Sequence, residues 1–189
     1  MAFVVIYDAC VLYPAPLRDL LLRIALAGVV RAKWSDEILD ECFRNVAANR
    51  PDLSVDALAR TRHLMCEAVP DCLVTNFSGL ADHVALPDLN DRHVLAAAIR
   101  SNAQVIVTFN LKDFPQSVLA PFGIEAKHPD DFVLDTIGLA PGAIATVVSQ
   151  QAAALKSPPV SRAEMLDRLR ACGLEQSVAQ LRTVFGAAS

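Results

Sequence analysis

The chain has 189 residues, 53% of them hydrophobic and 20% charged, enough for one cored domain with a small appendage and too apolar for a disordered chain. Its net charge of −4 excludes a protein that coats nucleic acid through bulk positive charge, though not a nuclease with acids concentrated at one site. Cys10, Cys42, Cys66, Cys72 and Cys172 form no CxxC pair or zinc-finger spacing, so they read as reduced, mostly buried thiols of a cytoplasmic protein.

The opening MAFVVIYDAC lacks the basic lead of a signal peptide. Its apolar run Phe3 to Tyr7 predicts a strand buried on both faces of a parallel sheet, with Asp8 at its end. Leu17, Leu20, Leu21, Ile24 and Ala25 then follow helical spacing, and the helix is expected to stop near Gly28. Charges at Arg18, Asp19 and Arg23 interrupt this segment well short of a membrane span, which makes it a core helix.

A short strand is expected at Arg31 to Trp34, followed by a helix capped by Ser35 and carrying Asp36 and Glu37 in its first turn. Ile38, Leu39, Cys42, Phe43 and Val46 form its core stripe. Glu41 lies near one edge of that stripe and Asp40 as near the other, so helical phase alone does not choose between them. Ser54 caps the next helix, and Cys72 to Thr75 reads as a further strand. Asn76 to Leu86 is a loop with room for one helical turn around Leu80.

Leu86 to Pro115, LPDLNDRHVLAAAIRSNAQVIVTFNLKDFP, holds the densest group of acids and amides. A helix with Val94, Leu95, Ala98 and Ile99 inward follows Asp91, and Val105 to Val107 form a strand before Thr108, Asn110 and Asp113. A short helix near Gln116, a strand at Gly123 to Lys127 and a helix opened by His128, Pro129 and Asp130 complete a βα alternation, which calls for a parallel α/β sheet. Beyond Gly138 only helices are expected: one opened by Pro141, one by a Ser161–Glu164 capping box, and one from Glu175 to Phe185. The division is therefore 1–138 for the α/β domain and 139–189 for a helical extension.

In a parallel sheet the carboxyl ends of the strands share one edge, where Asp8, Glu41, Asp91 and Asp113 can converge. Carboxylates held together repel unless a proton or cation compensates, and oxygen ligands suit Mg²⁺ or Mn²⁺. Such an ion would serve phosphodiester hydrolysis. Each acid also has an ordinary structural alternative: a turn for Asp8 or Asp113, a helix cap for Asp91, a solvated helix face for Glu41. The four histidines show no metal-ligand spacing.

Together the strand ending in Asp8, the segment SDEILDE ending in Glu41, LPDLNDRHVLAAAI with Asp91, and IVTFNLKDFP resemble the PIN-domain nucleases. The similarity is strongest to VapC-type toxins of bacterial toxin–antitoxin pairs that carry a helical C-terminal extension, and it covers about residues 1 to 133. It implies a PIN-like three-layer fold and a metal-dependent endoribonuclease acting on RNA, restrained by a cognate antitoxin and commonly a homodimer. It further implies Asp8, Glu41 and Asp91 as the principal metal-site acids for Mg²⁺ or Mn²⁺, with Asp113 a more variable fourth. Asn110 stands where many relatives have an acid; Asp88 and Thr108 are candidate supporting residues.

Arg44, Arg50, Arg60, Arg62, Arg92, Arg100 and Lys112 could meet phosphates but read first as solvated surface charges, and there is no interleaved aromatic platform for single strands. Two other classes compete. A phosphatase of the haloacid dehalogenase type also begins with a strand ending in Asp, but needs a second Asp where this chain has Cys10. A catalytically silent α/β interaction domain would use the acids only as caps and turns.

Overall fold

The structure is a computed structural model describing residues 2–187, so the outermost ends of the two expected segments, Met1, Ala188 and Ser189, lie outside the described residues. Strands β1 (Val4–Tyr7), β2 (Arg31–Lys33), β3 (Val105–Val107) and β4 (Glu125–Lys127) form one sheet in the order β2-β1-β3-β4. All of the pairings are parallel, with Tyr7 in register with Val107 and Val107 with Lys127. The fold is α/β, a parallel sheet flanked by helices.

Buried apolar runs make β1 and β3 the central strands. Val5, Ile6 and Tyr7 are fully buried, as are Ile106 and Val107. Burial of each large apolar side chain contributes about 1.5–3 kcal/mol. Tyr7 stacks on Trp34 with ring centroids 6.4 Å apart and meets Phe132 edge-on at 5.9 Å, while its hydroxyl donates to the Leu21 carbonyl. One β1 side chain thus joins the end of β2 to two helices of the surrounding layer.

Helices α1 (Ala9–Leu12) and α2 (Ala15–Leu26) follow β1, and a left-handed Gly28, φ +75°, turns the chain toward β2. Helix α3 (Asp36–Asn49) begins at Ser35, whose hydroxyl accepts the Ile38 N–H; α4 (Val55–Ala68) begins at Ser54, which accepts from Ala57. A single turn, α5 (Ser78–Ala81), lies in the following loop. Helix α6 (Arg92–Arg100) buries Val94 to Ala98, and its alanines permit close approach to the strands below.

The strand expected at Cys72 to Thr75 is reduced to one parallel bridge between Trp34 and Leu73. Trp34 donates to the Cys72 carbonyl and accepts from Val74, which pins this segment beside the end of β2 without extending the ladder. Leu73 and Thr75 are exposed, so the segment has no second face to bury.

A short α7 (Gln116–Leu119) precedes β4, and α8 (Pro129–Leu139), α9 (Pro141–Ala154), α10 (Arg162–Ala171) and α11 (Glu175–Ala187) follow it. The capping box at Ser161 and Glu164 has both of its hydrogen bonds. Helices α8 and α9 meet at a bend of 120°, and no single helix among the described residues is long and apolar enough to cross a membrane. Gln151 of α9 reaches back to donate to the Pro16 carbonyl, and Asp130 of α8 accepts the N–H groups of Gln176 and Ser177, tying the tail to α2 and α8.

Candidate metal centre

Asp8 stands where β1 gives way to α1 and is 3% exposed. Its Oδ1 accepts the Ala9 N–H at 2.7 Å; its Oδ2 accepts the Thr108 hydroxyl at 2.6 Å and the Cys10 thiol at 3.1 Å. The parallel register sets this up, because Tyr7 and Val107 are partners and the next residues of both strands are neighbours at the sheet edge. Thr108 in turn accepts the Asn110 N–H, and Cys10 Sγ accepts the Phe109 N–H. Burial first, then the Asp8 charge, pushes the Cys10 thiol up to about 12, so it stays a protonated donor. A carboxylate offers about four lone-pair sites, and these contacts occupy all but one.

Glu41 projects from α3 beside the stripe that buries Ile38, Leu39 and Cys42. Its carboxyl holds its proton more tightly than usual, through desolvation first and then the charge of Asp8, with Asp88 adding to this and His93 and Arg44 opposing it. Asp40 stands at the cleft rim with its carboxylate already engaged. It pairs with Arg62 of α4, which also binds Asp36, and thereby fastens α3 to α4.

Asp91 occupies the N-terminal position of α6, yet its side chain makes no capping bond there. The capping role falls to Asp88, which accepts the Asn90 N–H at 2.9 Å in the preceding 3₁₀ turn. Asp91 is free for other chemistry, and its carboxyl is pushed up to about 7 by desolvation and then by Asp8, Asp88, Asp113 and Glu41 in that order. Carboxylates from four separate parts of the chain share one electrostatic neighbourhood.

Glu41, Asp88, Asp91, Asn110 and Asp113 line a polar cleft of about 680 Å³, together with Glu37, Asp40, Arg44, Asn90 and His93. Asp8 is not part of its lining, although its charge acts on both Glu41 and Asp91. Asp113 stands in a 3₁₀ turn after β3 with its N–H bonded to the Asn110 carbonyl. Among the described residues no three His, Cys, Asp or Glu side chains are drawn close enough to form a ready-made ligand set. Desolvation and then mutual repulsion raise Asp91 and Glu41. The donor chemistry suits a hard divalent ion, because such an ion relieves this repulsion and takes oxygen ligands.

Two side chains, one in the cleft and one beneath it, take part without being expected to from the sequence. Cys10 supports Asp8 through a thiol donor, a role signalled only by its place two residues after a strand-end acid. His93 has Nδ1 2.6 Å from the Asn90 carbonyl oxygen and Nε2 4.0 Å from Glu41 Oε2. Asp91 and His93 are two apart on a helix, a spacing that does not align side chains on one face, so no pattern singles it out.

The PIN domain family model matches residues 4–112, and the VapC50 C-terminal domain model matches residues 129–183. The chain is similar to a protein of Mycobacterium tuberculosis (strain ATCC 25618 / H37Rv) described as "Putative ribonuclease VapC50", with 44% identity over 105 residues. That alignment covers 54% of this chain and 62% of the relative, so the chain spans under two thirds of the relative's length. No solved structure matches it. The match over 4–112 runs from β1 and Asp8 through α6 and Asp91 to the loop after β3, and on it the chain belongs to the PIN-domain family.

Proposed function

We propose that the protein is a Mg²⁺- or Mn²⁺-dependent endoribonuclease, the toxin of a toxin–antitoxin pair. The observation that carries this reading is the cleft that Glu41, Asp88, Asp91 and Asp113 line together, where burial and then the charges of Asp8, Asp88, Asp113 and Glu41 push the Asp91 carboxyl up to about 7. Family membership and the ribonuclease named among its relatives support it.

In this reading Asp8, Glu41, Asp91 and Asp113 hold the cation, and Asp88 and Asn110 border it. A bound divalent ion would polarise the scissile phosphate, acidify a water and stabilise the leaving oxygen. The rest falls to side chains of the chain. Thr108 and Cys10 fix Asp8 so that its remaining lone pair has one direction. Glu41 lines the cleft and is placed to accept the proton of the attacking water as the new P–O bond forms, and that proton passes to the leaving ribose oxygen as its P–O bond breaks. Arg44 lines the same cleft and is placed to bind a phosphate entering it.

The helical extension 139–189, an antitoxin laid over the acid cleft, a homodimer and a cytoplasmic setting belong to the same proposal. The deciding experiment is cleavage of single-stranded RNA by the purified protein with Mn²⁺, with chelator, and with Asp91→Asn. Cleavage that needs the ion and is lost in the variant is expected; cleavage indifferent to both would overturn the reading.

A further inference from the structure

We propose that His93 supplies a nitrogen ligand to the cation of the acid cleft, through an Nε2 lone pair facing Glu41; this rests on the nuclease reading above. The tautomer is fixed by geometry. Nδ1 lies 2.6 Å from the Asn90 carbonyl oxygen, an atom that can only accept, so the ring proton is on Nδ1 and Nε2 of the neutral ring carries a lone pair. That Nε2 is shielded from solvent and has no hydrogen-bond partner among the described residues.

The nearest acid oxygen, Glu41 Oε2, is 4.0 Å away, too far for an N–H···O hydrogen bond. In the neutral ring the Nε2 lone pair and the Glu41 carboxylate stand 4.0 Å apart, a nitrogen and an oxygen donor for one small cation. Metal–nitrogen and metal–oxygen bonds to small divalent ions are each about 2.0–2.2 Å long, so one ion can contact both side chains. The Asn90 contact is also the usual outer support of a metal-bound histidine, whose second ring nitrogen donates to a backbone carbonyl. His93 lines the cleft with Glu41, Asp91 and Asp113, and its ring is thereby pre-oriented.

A nitrogen among oxygen donors favours Mn²⁺ over Mg²⁺, because imidazole suits transition ions and Mg²⁺ prefers oxygen and water. The test is pulsed electron paramagnetic resonance of Mn²⁺ bound to the full chain, prepared with ordinary and with ¹⁵N-labelled histidine. A nitrogen coupling that changes with the label is expected, and it disappears in His93→Gln. Mn²⁺ affinity of that variant should fall by at least about tenfold, the lower end of what loss of even an outer-shell partner costs.

Mn²⁺ binding that Asp91→Asn weakens, but that shows no histidine coupling, would overturn the role of His93 and leave the nuclease reading standing. Failure of the wild-type chain to bind Mn²⁺ would remove both. The isotope comparison uses only wild-type protein, so its outcome does not depend on whether His93→Gln folds.

Discussion

The hydroxyl of Thr108 donates to Oδ2 of Asp8 across 2.6 Å and joins the ends of two neighbouring parallel strands. The same hydroxyl oxygen accepts the Asn110 N–H, so one side chain orients an acid and holds the loop that leads to Asp113. Thr108→Val keeps the shape and removes both bonds. It should weaken Mn²⁺ binding roughly 10- to 100-fold, as expected for an outer-shell partner. It should also cost about 1–3 kcal/mol of stability through the unpaired buried groups. Metal titration beside urea denaturation would measure both; unchanged affinity in a folded variant would mean that Asp8 needs no such support.

Asp91 gives a pH dependence of definite sign. Its folded-state value of about 7 lies above the ordinary 3.8, so the folded protein binds this proton more tightly than the unfolded chain. The resulting stability is fully present below about 3.8 and is lost as the pH rises through about 7. Metal-free protein should therefore become less stable between these limits, modestly, since the carboxyl is partly solvated and screened. Asp91→Asn removes this contribution and should be the more stable protein at pH 8 in chelator, whereas Mn²⁺ should stabilise the wild type more than the variant. Denaturation curves at pH 5 and pH 8 would show it, and a variant less stable than wild type at pH 8 without metal would refute the charge argument.

The local parts of this design are legible in the residues. Strand β1, the stripe of α2, the serine caps of α3 and α4 and the Ser161–Glu164 box depend on neighbours within a few positions, and each forms where the spacing places it. What is not legible depends on distant backbone or side-chain partners. Asp88 rather than Asp91 makes the cap before α6 because of the 3₁₀ turn between them, and Leu73 gains only a bridge because its partner is Trp34 at the end of β2. Cys10 is recruited by the Phe109 N–H, and His93 is held by the Asn90 carbonyl. Composition and period carry no trace of those contacts.

Asp130 offers a test of the tail. The sequence places it at the start of α8, where it does lie, but its carboxylate serves another helix: Oδ2 accepts the Gln176 N–H and Oδ1 the Ser177 N–H, each at 2.8 Å, at the start of α11. The Ser177 hydroxyl returns a bond to the Asp130 carbonyl. These are charge-assisted bonds in a site only 5% exposed, so Asp130→Ala should cost roughly 3 kcal/mol. Asp130→Asn, which keeps one acceptor, should cost less. Limited proteolysis should cut the alanine variant first within α11; a loss under about 0.5 kcal/mol, the size of an ordinary surface change, would show that the tail is held by packing alone.

Asp40 and Glu41 provide the sharpest functional contrast, because helical phase leaves them equivalent and the neighbouring helix does not. Arg62 of α4 takes Asp40 together with Asp36, while Glu41 feels the charges of Asp8, His93 and Asp88. Asp40→Ala should leave RNA cleavage within about twofold and cost under ~1 kcal/mol, since the pair is exposed and Arg62 retains Asp36. Glu41→Gln is nearly isosteric but can neither accept a proton nor balance a cation, and should lower the cleavage rate by roughly 10² to 10⁴. It should also stabilise metal-free protein at neutral pH by removing one of the repelling charges. Equal loss of cleavage in the two variants would mean that Asp40, at the cleft rim, exchanges Arg62 for substrate or metal; the expected asymmetry assigns the chemistry to Glu41.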